Sequence, residues 1–267
     1  MSRLSALTFA TLAFIAPAVA VAATKDDRAA SGKGSVTVPS QPTSSRYFGL
    51  NRLWLAFTNG DHKLKSIGAL LGANTTTATL ADNDGNDPFK YSSTNYVLPA
   101  GTTMYETVKT DCRGRCKVAI ANGGSNQEFV LVGFSLKRDK DDSNVRVVAI
   151  EPAVGTGYVW VEFADNGVFD YDVHLQYAYV FKSQLVDGKA YELSGRRTHG
   201  EEELRLGGSC GGGIGVLSGF RFQFDNGDHH LRELRIALDH LGASVRYNDA
   251  DFGDPYTAKI RGMSMKL

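Results

Sequence analysis

Leu53, Leu55 and Phe57 recur at every second position, and so do Phe220, Phe222 and Phe224. An apolar side chain at alternate residues marks a strand with one buried face. Asn59-Gly60 and Asn226-Gly227 follow these runs. Asn-Gly suits the two positive-φ positions of a type I′ turn, so each run is expected to reverse into a hairpin. In the second segment the returning strand would carry Leu234, Ile236 and Leu238 on one face. Leu231, Leu234, Leu238 and Leu241 also fit helical spacing, with Gly242 as a C-terminal cap. The matching arm of the first segment holds Gly68, Gly72 and Thr75-Thr76-Thr77, poor helix formers, which favours a strand in both.

The two segments are copies of one unit. A single ungapped register lays Phe57-Thr58-Asn59-Gly60-Asp61-His62 over Phe224-Asp225-Asn226-Gly227-Asp228-His229. It then carries Leu71 onto Leu238, Asp82 onto Asp249, Asp84 onto Asp251, Asp87 onto Asp254 and Pro88 onto Pro255. A fainter third copy, which needs a gap, lies at Ala164-Asp165-Asn166 with Phe169, Tyr171 and Tyr177.

Between the copies, 129–137, 145–151, 158–163 and 172–181 read as further strands, with turns at 139–144, 155–157 and 165–167. Short strands at this spacing predict an all-β fold, a β-sandwich or two small packed β-units, built on a duplicated hairpin plus acidic loop. Trp54, Trp160 and the many Phe and Tyr residues are expected to fill its core.

Composition adds a compartment. Met1 to Ala22 runs from Arg3 through an apolar stretch to small residues ending at Ala20-Val21-Ala22, the order of a cleaved signal peptide. The protein is therefore expected to be exported, periplasmic or extracellular, with no membrane span in its mature form. Residues 23–45, rich in Ser, Thr, Gly and charge, read as a flexible leader. Residues 46–182 are expected to form a sandwich containing the first repeat. A glycine-rich connector at 183–215 then leads to the second repeat at 216–267. Lys plus Arg number 29 and Asp plus Glu 29, so no global field favours nucleic acid.

An oxidising compartment makes disulfides the default, and Cys112 and Cys116, flanking Arg113-Gly114-Arg115, are expected to pin a hairpin. Cys210 is left without an assigned partner.

Two polar features carry candidate chemistry. Asp82, Asp84 and Asp87 are mirrored by Asp249, Asp251 and Asp254. Three neighbouring carboxylates repel unless solvated or neutralised by a hard cation such as calcium, which takes about six to eight oxygen ligands. Both readings stand, a solvated turn or a calcium ion pinning the loop. Asp61-His62 and Asp228-His229, with His230 beside the latter, are the other repeated pair. They suit ligand or metal binding, or a turn in which Asp bonds amides while His packs. A motif duplicated on a duplicated unit argues against a single catalytic constellation. Gly207-Gly208-Ser209-Cys210-Gly211 matches the nucleophile elbow in letters, but further glycines follow where that elbow needs a helix.

Tyr158, Trp160, Tyr171, Tyr177 and Tyr179 alternate on strands and suit either a core or sugar stacking. Together these features point to a secreted or periplasmic lectin-like binding protein that recognises glycan or cell-surface material. The alternatives are an envelope structural or protein-interaction module and a secreted hydrolase.

Overall fold

The alternating residues lie on strands, and their apolar sides face a common interior. A computed structural model describes residues 25–40, 48–153, 155–167, 169–198, 203–207, 213–239, 242–249 and 254–266. Leu53, Leu55 and Phe57 point inward from β2 (Phe48–Phe57), which is followed by β3 (Ser66–Leu71), β4 (Thr75–Ala81) and β5 (Pro88–Val97). The second copy runs β14 (Ile214–Phe224), β15 (Glu233–Asp239), β16 (Gly242–Asn248) and β17 (Tyr256–Met265). The faint copy is real: β8 (Gln127–Arg138), β9 (Val147–Ala153), β10 (Tyr158–Ala164) and β11 (Asp170–Phe181) repeat the pattern between them. We call the three units I, II and III in chain order. The remaining strands are β1 (Lys25–Pro39), β6 (Met104–Arg113), β7 (Arg115–Ala119), β12 (Tyr191–Arg197) and β13 (Leu204–Gly207).

All pairings between these strands are antiparallel. They form an eleven-stranded sheet, β13-β16-β15-β2-β5-β1-β4-β3-β8-β11-β6, and a six-stranded sheet, β12-β17-β14-β9-β10-β7. The two sheets pack together as an all-β sandwich, and side chains from all three units share one core, with the rings of Phe134 of unit II and Phe220 of unit III in tilted contact at 5.4 Å.

A cyclic rule underlies this order. In each unit the first strand pairs the fourth and the second pairs the third. The second strand also pairs the first strand of the next unit: β3 with β8, β9 with β14, and β15 with β2. The Asn-Gly reversals are therefore not hairpins, because the strand that follows each one pairs with a strand of another unit instead of folding back on the strand before it. Gly60 (φ 125°) and Gly227 (φ 137°) do adopt the positive φ that glycine permits. The backbone groups a hairpin would use are taken by a closed ring of bridges, His62 to Leu231, Leu64 to Ser143 and Val145 to His229. Leu64, Val145 and Leu231 are fully buried at these bridges.

The segment expected to be a flexible leader supplies β1, which pairs β5 over Lys25–Lys33 and β4 over Gly34–Pro39. Its inward side begins with charges that pair, the Arg28 guanidinium donating to buried Asp26, and turns apolar at Val36 and Val38. Gly34 marks the switch between partners, where a Cβ would sit 2.8 Å from the Gly85 carbonyl oxygen. Units II and III repeat the arrangement with two strands each. β6 borders β11 and β7 borders β10, while β12 borders β17 and β13 borders β16. The segment expected to be a glycine-rich connector thus supplies β12 and β13.

Cys112 and Cys116 are disulfide-bonded, with Cα atoms 5.5 Å apart. The bond spans an arch rather than a ladder, since β6 and β7 pair strands of different sheets. Residues 1–24, Ser209, Cys210, His240 and Asp251 lie outside the described residues.

Candidate functional site

The repeated polar residues converge at the junctions between units. His62 Nδ1 lies 2.8 Å from an Asp87 oxygen and 3.8 Å from Asp82. Asn59 Nδ2 donates to Asp87 Oδ1 at 2.7 Å, and the imidazole packs on Phe57 at 4.5 Å between centroids. Unit III repeats the clasp: His229 Nδ1 is 2.7 Å from Asp254 and 3.6 Å from Asp249, Asn226 donates to Asp254, and Phe224 packs on His229. Each cluster, His62-Asp82-Asp87 and His229-Asp249-Asp254, offers three ligand-type atoms within 4.8 Å of one another. Asp84 is outside the first cluster and accepts from the Asn86 amide at 2.8 Å.

The electrostatics follow from this crowding. Burial, then hydrogen bonds shared with Asp87 and Asp84, push the Asp82 carboxyl up to about 7, against the pull of the Gly85 amide. Asp87 is held below its usual range by the hydrogen bond from Asp82, the Asn59 amide and the nearby His62 and Lys33 charges. For Asp254, burial is the largest influence and pushes upward. Hydrogen bonds from Asp249 and Asn226, with the His229 charge, outweigh it and leave the group lowered. A protonated Asp82 donating to an ionised Asp87 is the arrangement that keeps two like charges from facing each other.

Unit II keeps the geometry with other chemistry. Ser143 takes the histidine position and its hydroxyl donates to Asp165. Arg138 takes the place of Phe57 and Phe224; it is buried, with its guanidinium 4.6 Å over Phe163 and Nε donating to the Leu64 carbonyl.

Asp61 and Asp228 point away from their neighbouring histidines, into the adjoining unit. Asn166 Nδ2 of unit II donates to Asp228 Oδ1 of unit III at 2.6 Å, and Asn83 of unit I donates to Asp142 of unit II. Asp61 of unit I faces His230 of unit III, whose Nδ1 is 3.9 Å away. The five expected ligand-binding residues, Asp61, His62, Asp228, His229 and His230, therefore meet at the seams between and within units.

An open groove of about 570 Å³ crosses the outer face of β1, β5, β2, β15 and β16. Register aligns two rows of outward residues across it. One row is Ala29, Ser92, Trp54, Arg235 and Arg246; the other is Asp27, Thr94, Arg52, Ala237 and Ser244. Small side chains flank Trp54 on one side and arginines on the other. Glu233, nearly buried, accepts from Trp54 Nε1 at 2.9 Å and from Arg246 at 3.3 Å, which fixes the indole.

Trp54 thus lies on the outer face, not in the core. Its signal was the alternation itself: if Leu53 and Leu55 face inward, Trp54 between them faces out. Trp160 is also outside, on β10, covered by Arg115 at 4.8 Å and Lys117 at 5.0 Å. Tyr171 and Tyr177 are buried and Tyr179 is half-buried.

The pairing of Trp54 with an arginine occurs at one of the three junctions between units. Where unit III sets Arg235 opposite Trp54, the equivalent pairs are Gly68 opposite Ser135 and Ala149 opposite Arg221. No protein-family model matches the chain, and no curated protein matches it in sequence.

Proposed function

We propose that the protein is an exported, lectin-like binding protein that takes a saccharide in the Trp54 groove. The observation that carries this is an indole fixed by Glu233 above a floor of Ala29, Ser92 and Thr94. Sugar rings present apolar CH faces that stack on aromatic rings, together with hydroxyls that need oriented polar partners. The groove offers both kinds of group. Five strands at about 4.8 Å spacing span roughly 19 Å, room for a short oligosaccharide. The Cys112–Cys116 disulfide suits an oxidising compartment.

Calcium enters this reading as a loop-pinning ion at Asp82 and Asp87 and at Asp249 and Asp254, where it must displace an imidazole N–H from Asp87 and Asp254. A rise in melting temperature with millimolar calcium, reversed by EDTA, supports the ion; no shift removes it. The saccharide reading is tested on a glycan array with the wild type and Trp54→Ala. Binding that disappears in the variant supports it, and an array blank for the wild type overturns it.

A further inference from the structure

Resting on that reading, we propose that the saccharide carries an oxyanion, a carboxylate or a sulfate, held by Arg52 and Arg235. The charges on this face are unequally matched. Asp27 is engaged by Lys25 at 2.5 Å and by the Thr94 hydroxyl at 2.6 Å. Glu233 is engaged by Arg246 and Trp54. Among the described residues, the side chains of Arg52 and Arg235 make no hydrogen bond or close ion pair, and Arg52 acts on Asp27 only as a nearby charge.

Arg235 also stands directly opposite Arg246 across the β15–β16 ladder. Like charges in directly opposed cross-strand positions are destabilising, and Glu233 answers only one of the two. Arg52 lies two residues from Trp54 on β2, while Arg235 is opposite Trp54 on β15. The two arginines are therefore diagonal neighbours with Cβ atoms about 7 to 8 Å apart, within reach of one shared anion for side chains this long. The guanidinium fork matches a carboxylate or sulfate in two parallel hydrogen bonds. The Trp54 indole, beside Arg52 on its own strand and opposite Arg235, supplies a stacking surface for the ring that bears the anion.

Confinement of the charge argues for a discrete acidic group rather than for a polyanion tracking the surface. The positions equivalent to Arg235 are Gly68 and Ala149, and basic and acidic residues are equal in number over the chain.

The test uses isothermal titration calorimetry at low ionic strength, where charge recognition is least screened. The probes are oligogalacturonate, the same oligosaccharide methyl-esterified, and a sulfated galactan oligosaccharide. The expected result is that at least one charged probe binds tenfold or more tighter than the ester. Arg52→Gln and Arg235→Gln should each weaken that probe about tenfold while leaving the ester unchanged, and Trp54→Ala should abolish all binding. Galacturonate and sulfated galactan together separate carboxylate from sulfate as the source. Acid and ester binding equally, with Trp54 still required, overturns the oxyanion and leaves the saccharide reading intact. Absence of binding by all three probes overturns both. Arg52 is exposed and Arg235 half-buried on the outer face, and melting temperatures near the wild-type value show that the variants fold.

Discussion

Replacing Asp82 with asparagine isolates the charge in the unit I clasp. Asparagine keeps an oxygen to accept from the Gly85 amide, as Asp82 Oδ1 does at 3.1 Å, and gains an N–H to donate toward Asp87. The Asp82 carboxyl is raised from 3.8 to about 7. Between those values the folded chain holds a proton that the unfolded chain has released. Stability from this group is therefore complete below pH 3.8 and lost as pH rises to about 7. The rise from 3.8 to about 7 corresponds to an upper limit of about 4 kcal/mol. Asp87, lowered in the fold, works in the opposite sense: its contribution is present above its unfolded value and lost as pH falls. With that offset, ~1 to 2 kcal/mol remains to be lost between acid and neutral pH, or about 2 to 8 °C in melting temperature for a chain of this size. Melting followed by circular dichroism from pH 4 to 8.5 should give nearly coincident temperatures for the two proteins at the acid end. The variant should become progressively more stable than the wild type toward pH 8. A difference that stays constant with pH, or a variant less stable at pH 8, refutes the proton shared between Asp82 and Asp87.

Leu64→Ala empties a fully buried position at the ring of inter-unit bridges and should cost about 3 kcal/mol; chemical denaturation measures it, and a loss under about 1 kcal/mol would mean that the units are not joined there. Asn166→Ala and Asp228→Ala, combined in a double-mutant cycle, should show a coupling of about 1 kcal/mol across units II and III, and additive effects would remove that seam bond.

How much of this was legible in the residues depends on what each inference required. Alternation of Leu53, Leu55 and Phe57 is a property of neighbouring residues, and it placed β2 correctly. The match of Phe57–Pro88 with Phe224–Pro255 showed that these stretches are copies. Unit II was almost hidden, because Ser143 and Arg138 stand where the other units hold His and Phe. β1 is hard to see in the sequence because two of its buried positions, Asp26 and Arg28, are charged and become burial-compatible only as a pair. The groove was missed because its two rows come from five strands brought side by side by the cyclic pairing.

Local chemistry along the chain thus determined the alternating strands of the repeats, the duplicated turn-and-aspartate segments and the pairing of Cys112 with Cys116. The partner of each strand was a tertiary decision. A strand's edge hydrogen bonds are identical in kind at every residue and carry no address, so partner choice falls to the shared core and to the ring at Leu64, Val145 and Leu231. That choice brought Trp54, Arg52, Glu233 and Arg235, which stand on strands of different units, onto one face.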